Sequence, residues 1–190
     1  MAEAGIEAGQ ITRVLLTHLH GDHVLGLLDG DKPWLPHAEI LLPEAEFVYF
    51  TDPAIRAALP QDKQQSFDVA AQVLAAYAGK LHTISPGPVP GMPKIELVAL
   101  PGHTPGHGGY KFHGPETLLI WADTLHLREL QTADPKICMA FDVDPAQALQ
   151  TRLETLQQAE REGWTVAGSH VAGFGNIQRD GEVYRFVVVA

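Results

Sequence analysis

The sequence is poor in cysteine, in positive charge and in long apolar runs, and each shortage removes a class of function. A single cysteine, Cys138, forbids an internal disulfide and limits thiolate metal chemistry to one ligand. A reducing compartment fits such a chain without being required. Lys and Arg number 13 against 23 Asp and Glu, giving a formal charge of -10. That balance repels phosphate backbones and anionic lipid, so neither nucleic acid nor a membrane is an expected partner. No run of about eighteen apolar residues is present to cross a membrane. The opening stretch MAEAGIEAGQITRVLLT lacks the basic region and apolar core of a secretory signal. The expectation is a soluble, cytoplasmic protein, with a signal upstream of Met1 left open.

What is present suffices for one well-buried core. The chain has 190 residues, 45% of them hydrophobic, and reads as a single domain over 1–190. ITRVLLT (11–17) is a short β-branched run expected to form a buried strand, and AEILLP (38–43) a second. Asp52 followed by Pro53 marks a helix start. A longer helix is expected from about 61 to 78, with Phe67, Ala70, Val73, Leu74 and Tyr77 at helical spacing and Gly79 placed to end it. From 80 to 121 short strands alternate with Pro and Gly: KLHTI, KIELVALPG, GGYKFHG and ETLLIWAD, with SPGPVPGMP as a connection. KICMAF, which carries Cys138, reads as a further strand. DPAQALQTRLETLQQAEREG predicts a helix capped by Asp144, with Pro145 first, Gln147 completing a capping box and Gly163 closing it. WTVAGSH and GEVYRFVVVA read as closing strands. Interleaved strands and helices define an α/β chain.

The chemistry is concentrated in HLHGDH, at the exit of the first strand. Alternate residues of an extended segment share a face, so His18 and His20 can address one metal while Asp22 and His23, beyond Gly21, reach a second. Each cation needs at least three protein groups, and the chain supplies more at later strand exits: PGHTPGH (101–107), WADT (121–124) and GSH (168–170). Four strand ends are therefore expected to converge on one edge.

THLHGDH, GHTPGH, the Asp of WADT and the His of GSH occur in the order and approximate spacing of the metallo-β-lactamase superfamily, which the chain resembles from residue 11 onward. HGDHVLGLLDGDKPWLPHAEILLPEAEFVYFTDP, WADTLHLRELQ and AFDVDPAQALQTR are similar to its methyl parathion hydrolase-like branch, which lies near the lactonases. The resemblance implies that His18, His20 and His103 bind a first metal, Asp22, His23 and His170 a second, and that Asp123 bridges them. Two divalent ions per chain follow, zinc first, with iron, manganese or cobalt open. It also implies an αβ/βα four-layer sandwich. On that plan several strands precede the histidine motif, so part of the N-terminal sheet is expected to be missing here. Ala122 stands where the family usually has glycine. The β-lactam-hydrolysing members with a cysteine ligand place it where this chain has Asp123, which disfavours antibiotic hydrolysis. Flavin-linked and nuclease relatives share the motif, but the acidic charge and the lack of a flavin-type domain count against both.

The expected function is a dinuclear hydrolase in which a metal-bridging hydroxide, oriented by Asp22, attacks a small ester, lactone or phosphotriester. The alternative is a metal-binding but catalytically weak remnant or oligomerising module. A sheet short of outer strands exposes backbone edge and apolar surface, so a homo-oligomer is expected. His107 is expected outside the ligand set, and His126 is a candidate to face substrate. Thr17, Thr104, Thr124 and Ser169 flank ligands and could orient them or merely satisfy backbone groups. His37, His82 and His113 are read as surface residues. Trp34, Phe47, Tyr49, Phe50 and Phe174 are read as core before pocket, and Cys138 as a small buried hydrophobe.

Overall fold

The computed structural model describes residue 3 and residues 5–189. The chain is a mixed α/β protein that divides into two compact units, Met1–Ser85 and Pro86–Ala190.

The first unit is built on a parallel sheet. β1 (Arg13–Leu15) and β5 (Leu81–Ile84) flank the central β4 (Glu39–Pro43), and both pairings are parallel. Parallel strands need crossover connections. Between β1 and β4 run the short helix α1 (Gly21–Val24) and a two-stranded hairpin of β2 (Leu28–Asp29) and β3 (Lys32–Pro33). Between β4 and β5 run α2 (Glu44–Thr51), α3 (Pro53–Ala58) and α4 (Gln61–Ala76). Asp52 caps α3 as expected, its carboxylate accepting from the Ala54 and Ile55 N–H groups. In α4, Phe67, Ala70 and Val73 are buried at helical spacing and pack with Ile40, Leu42, Phe50 and Tyr77. Each of the Phe, Val, Ile and Leu side chains contributes roughly 1.5–3 kcal/mol through burial.

The second unit carries a seven-stranded sheet in the order β12-β11-β10-β9-β8-β7-β6. Its strands are β6 (Gly87–Val89), β7 (Met92–Ala99), β8 (Gly108–Phe112), β9 (Leu118–Ile120), β10 (Thr165–Gly168), β11 (Val171–Asp180) and β12 (Val183–Val188). The β9–β10 pairing is parallel and the others are antiparallel. β7, β9 and β10 therefore run in one direction, and their C-terminal ends reach the same edge of the sheet. α5 (Arg128–Ala133) and α6 (Pro145–Glu162) complete the unit. α6 buries Ala148, Thr151, Arg152, Thr155, Leu156 and Ala159, one face at i, i+3, i+4, i+7 spacing. That face contains an arginine, which an ordinary core face would not.

Several expectations are corrected. KICMAF is irregular, not a strand, and Cys138 is only half-buried, its thiol directed at the Pro145 carbonyl. Asp144 caps α6 through the Gln147 N–H, but the Asp144 N–H donates to the Gly102 carbonyl, so the reciprocal half of the capping box does not form. β6 lies within SPGPVPGMP, and the long β11 occupies VAGFGNIQRD, between the two closing strand readings, which the pattern left unassigned. Residue Ala190 of the final strand reading lies outside the described residues. Among the described residues no helix is long and apolar enough to cross a membrane.

Candidate metal centre

In the first unit β1 ends at Leu15, a bend follows at Thr17, and His20 is in extended backbone where α1 begins at Gly21. The His18 and His20 rings meet edge to face with centroids 4.9 Å apart, and the His23 ring lies 4.0 Å from His18. The alternation brings His18 and His20 together, and one turn of helix returns His23 to the same place. Asp22 sits beside it, its Oδ2 3.4 Å from His23 Nε2, with a side chain 58% exposed. A partly buried contact supports the loop: Thr17 Oγ1 is 3.1 Å from His18 Nδ1. Glu46 on α2, which is fully buried, accepts the Leu19 N–H at 2.9 Å and so grips the backbone between the two histidines. Sequence reasoning missed Glu46, because its signal, an acidic residue in an apolar helix, needs the partner amide to become visible.

In the second unit the shared direction of β7, β9 and β10 delivers His103, Asp123 and His170 to one edge. Asp123 Oδ2 is the focus: His103 Nε2 and His170 Nε2 each lie 3.3 Å away and His126 Nε2 3.1 Å away. Asp123 and His103 are almost fully buried, whereas the His170 side chain is 39% exposed. His126 thus belongs to the carboxylate cluster, where it stacks on His170 at 4.8 Å. His103, Asp123 and His126 can all offer donor atoms within 4.8 Å of one another.

His107 is fully engaged elsewhere. Its Nδ1 lies 2.7 Å from the Leu100 carbonyl, which requires a proton there, and its Nε2 accepts the Asp123 N–H at 3.1 Å. It fastens the Asp123 backbone. Ala122, the residue before Asp123, has φ of +45°, a left-handed conformation that glycine adopts more readily. Thr124 Oγ1 donates to the Trp121 carbonyl and so satisfies backbone beside Asp123. His37, His82 and His113 are exposed. Phe50 is core, while Trp34 and Phe174 are about half exposed.

The local chain path to His103 is set by Gly102, whose φ is +128° and where a Cβ would come within 2.2 Å of the Ala148 amide nitrogen. The backbone therefore lies against the start of α6. The Asp144 and Val143 N–H groups bond back to the Gly102 and His103 carbonyls. This brings Asp142, which sequence reasoning missed, to His103: its Oδ1 is 3.0 Å from Nδ1. Burial acts to raise the Asp142 carboxyl, but the hydrogen bonds from His103 and the Met139 N–H, with the Arg152 charge, hold it below the ordinary carboxylate range.

This arrangement fits a cation. Asp142 Oδ1 beside Nδ1 makes that nitrogen the donor side of the ring, which would leave Nε2 to present a lone pair to a cation. Nε2 is turned toward Asp123 Oδ2 at 3.3 Å, and a cation between that nitrogen and that oxygen would draw on both. Nitrogen and oxygen ligands at 2.0–2.1 Å in a tetrahedral set stand about 3.3 Å apart. His103 and His170 keep that separation from Asp123 Oδ2.

Comparison with known proteins agrees. The profile of the metallo-beta-lactamase superfamily matches residues 1–170, and the chain belongs to that superfamily. It is a metal-dependent hydrolase by class. Among solved structures, the hydrolase AbOPH of the β-lactamase superfamily is 28% identical over the whole chain, with a TM-score of 0.92. AidC, a dizinc quorum-quenching lactonase solved with a product N-hexanoyl-L-homoserine, is 24% identical over the whole chain with a TM-score of 0.89. An N-acyl homoserine lactone hydrolase, with product bound at its catalytic metal centre, is 18% identical over 88% of the chain with a TM-score of 0.60. The chain spans 68% of the first two proteins and 58% of the third. No curated protein sequence matches it.

Proposed function

We propose that this chain is a dinuclear metallohydrolase of small ester-like substrates. In this reading His18, His20 and His103 hold one divalent cation, Asp22, His23 and His170 hold the other, and Asp123 serves both. The observation that carries it is the meeting of His103 and His170 on one buried oxygen of Asp123, while the other nitrogen of His103 is committed to Asp142. Bound cations would supply Lewis acidity and a solvent nucleophile at neutral pH. The chain's own contribution is position and proton handling. His18 and His103 are buried and hold their rings against fixed partners. Asp22 is open to solvent and is the residue to orient the attacking water and accept its proton. Imidazole and carboxylate ligands suit zinc first, and also iron, manganese and cobalt.

The substrate is a lactone, carboxylic ester or phosphotriester. Its organic arm is served by Phe141, which is 45% exposed while packing edge-on against His103 and His126. Association of copies belongs to the same reading: β12 is an edge strand with Val187 and Val188 exposed by 39% and 56%. The test is metal content per chain by elemental mass spectrometry on protein purified without chelators, with mass in solution, followed by hydrolysis assays on the three substrate classes. About two cations and turnover of one class are expected. Far less than one cation, not restored by added zinc, overturns the reading. Two cations without turnover would replace the enzyme by a metal-binding module.

A further inference from the structure

The buried face of α6 carries a charged network that the ligand set does not use. Arg152 is 1% exposed at mid-helix. Its Nε donates to the Thr124 carbonyl at 2.9 Å, and its Nη1 to the Pro135 and Ile137 carbonyls at 2.7 and 2.9 Å. Nη2 lies 3.8 Å from Asp142 Oδ2, which also accepts the Met139 N–H at 3.0 Å. The other carboxylate oxygen, Oδ1, faces His103 Nδ1 at 3.0 Å. A buried arginine is costly unless its donors and charge are met, and removing a partner from such a pair is strongly destabilising. Here the three carbonyls and one carboxylate meet them, and all belong to segments that carry or adjoin Asp123 and His103.

Resting on the reading of His103 as a cation ligand, we propose that Asp142, braced by Arg152, is a positioning residue that decides which nitrogen of His103 is free to bind metal. Two donors, the Met139 N–H and the Arg152 guanidinium, face Oδ2, so that oxygen is held as an acceptor. Oδ1 is left to accept from His103, which places a proton on Nδ1 and aims Nε2 at Asp123. An asparagine at 142 has only one acceptor. The two fixed donors claim its carbonyl oxygen, and its NH2 group turns to His103. The ring must then accept at Nδ1 and carry its proton on Nε2, the nitrogen that would ligate. A residue that merely fills space would not move that proton.

The test reads the ring directly, by long-range proton–nitrogen correlation NMR of His103 in metal-free full-length protein. His103→Gln identifies the signal. Wild type is expected to show Nδ1 protonated, and Asp142→Asn to show Nδ1 unprotonated with the proton on Nε2. Asp142→Ala is a second variant, should the amide impair folding. It is expected to move the proton to Nε2 too, because Asp123 is then the remaining carboxylate. An Nδ1 that stays protonated in both variants, or is unprotonated in wild type, overturns the proposal. In zinc competition with a chromophoric chelator, Asp142→Asn should weaken one cation per chain by 10–100-fold, the range typical for partners of metal-bound histidines. Because the NMR readout needs no metal, a wild type that binds none would refute the dinuclear reading while leaving the assignment of the His103 proton intact.

Discussion

The two units gather their candidate ligands by different means. In the first, three histidines and an aspartate lie within six consecutive residues, so local chain geometry brings them together: an extended pair, then one helical turn. In the second, His103, Asp123, His126 and His170 are spread over 68 residues and meet because three strands run in one direction to one sheet edge. The supports differ accordingly. The contiguous loop is held by a neutral amide on Glu46 and a hydroxyl on His18. The dispersed cluster is held by charge, with Asp142 and Arg152 buried behind His103. Ligands that are neighbours in sequence need little to keep them together, whereas distant ligands need a framework that fixes position and protonation together.

The comparison can be broken most completely at Asp123, on which three imidazoles converge. Asp123→Ala should abolish dinuclear metal content and hydrolysis, since it removes the carboxylate oxygen that His103, His126 and His170 share. Elemental analysis with turnover assays checks it, and full activity would refute the ligand assignment. Next in size is Gly102→Ala. The new methyl would collide with the α6 backbone in a conformation alanine resists, so the loss of stability should reach about 3–5 kcal/mol. Denaturant unfolding followed at Trp121 and Trp164 would measure it, and a loss under about 1 kcal/mol would mean that the His103 turn can relax.

A smaller effect is expected in the first unit. Glu46→Ala strands the Leu19 amide in a buried place, at a cost of about 1–3 kcal/mol. Amide exchange at residues 18–22 should accelerate while the second unit keeps its protection. Uniform acceleration would show that the histidine loop is not separately supported. The smallest effect is at Ala122. Glycine there relieves the left-handed backbone but loosens the unfolded chain and removes a buried methyl, so Ala122→Gly should stay within about 0.5 kcal/mol of wild type. A large destabilisation would mean that the methyl, not the backbone, matters next to Asp123.

How much was legible in the sequence follows the same division. HLHGDH announced its chemistry because ligand spacing matched chain periodicity over six residues, and α4 and α6 announced themselves by apolar spacing and caps. KICMAF misled because its β-branched and apolar residues lie in a segment whose carbonyls turn to a buried arginine, which pattern alone does not register. The Gln147 half of the α6 capping box failed for a similar reason, since the Gly102 carbonyl, brought in from far along the chain, takes the Asp144 N–H.

By itself, then, the sequence determined the candidate ligand types, their order, and the α/β alternation, because each depends on residue identity and short-range periodicity. Only the tertiary structure decided that His107 fastens a backbone amide and that His126 joins Asp123. It also decided that Asp142 and Arg152 stand behind His103. Those outcomes depend on which hydrogen-bond partner each buried nitrogen finds, and the partners come from strands and helices far apart along the chain.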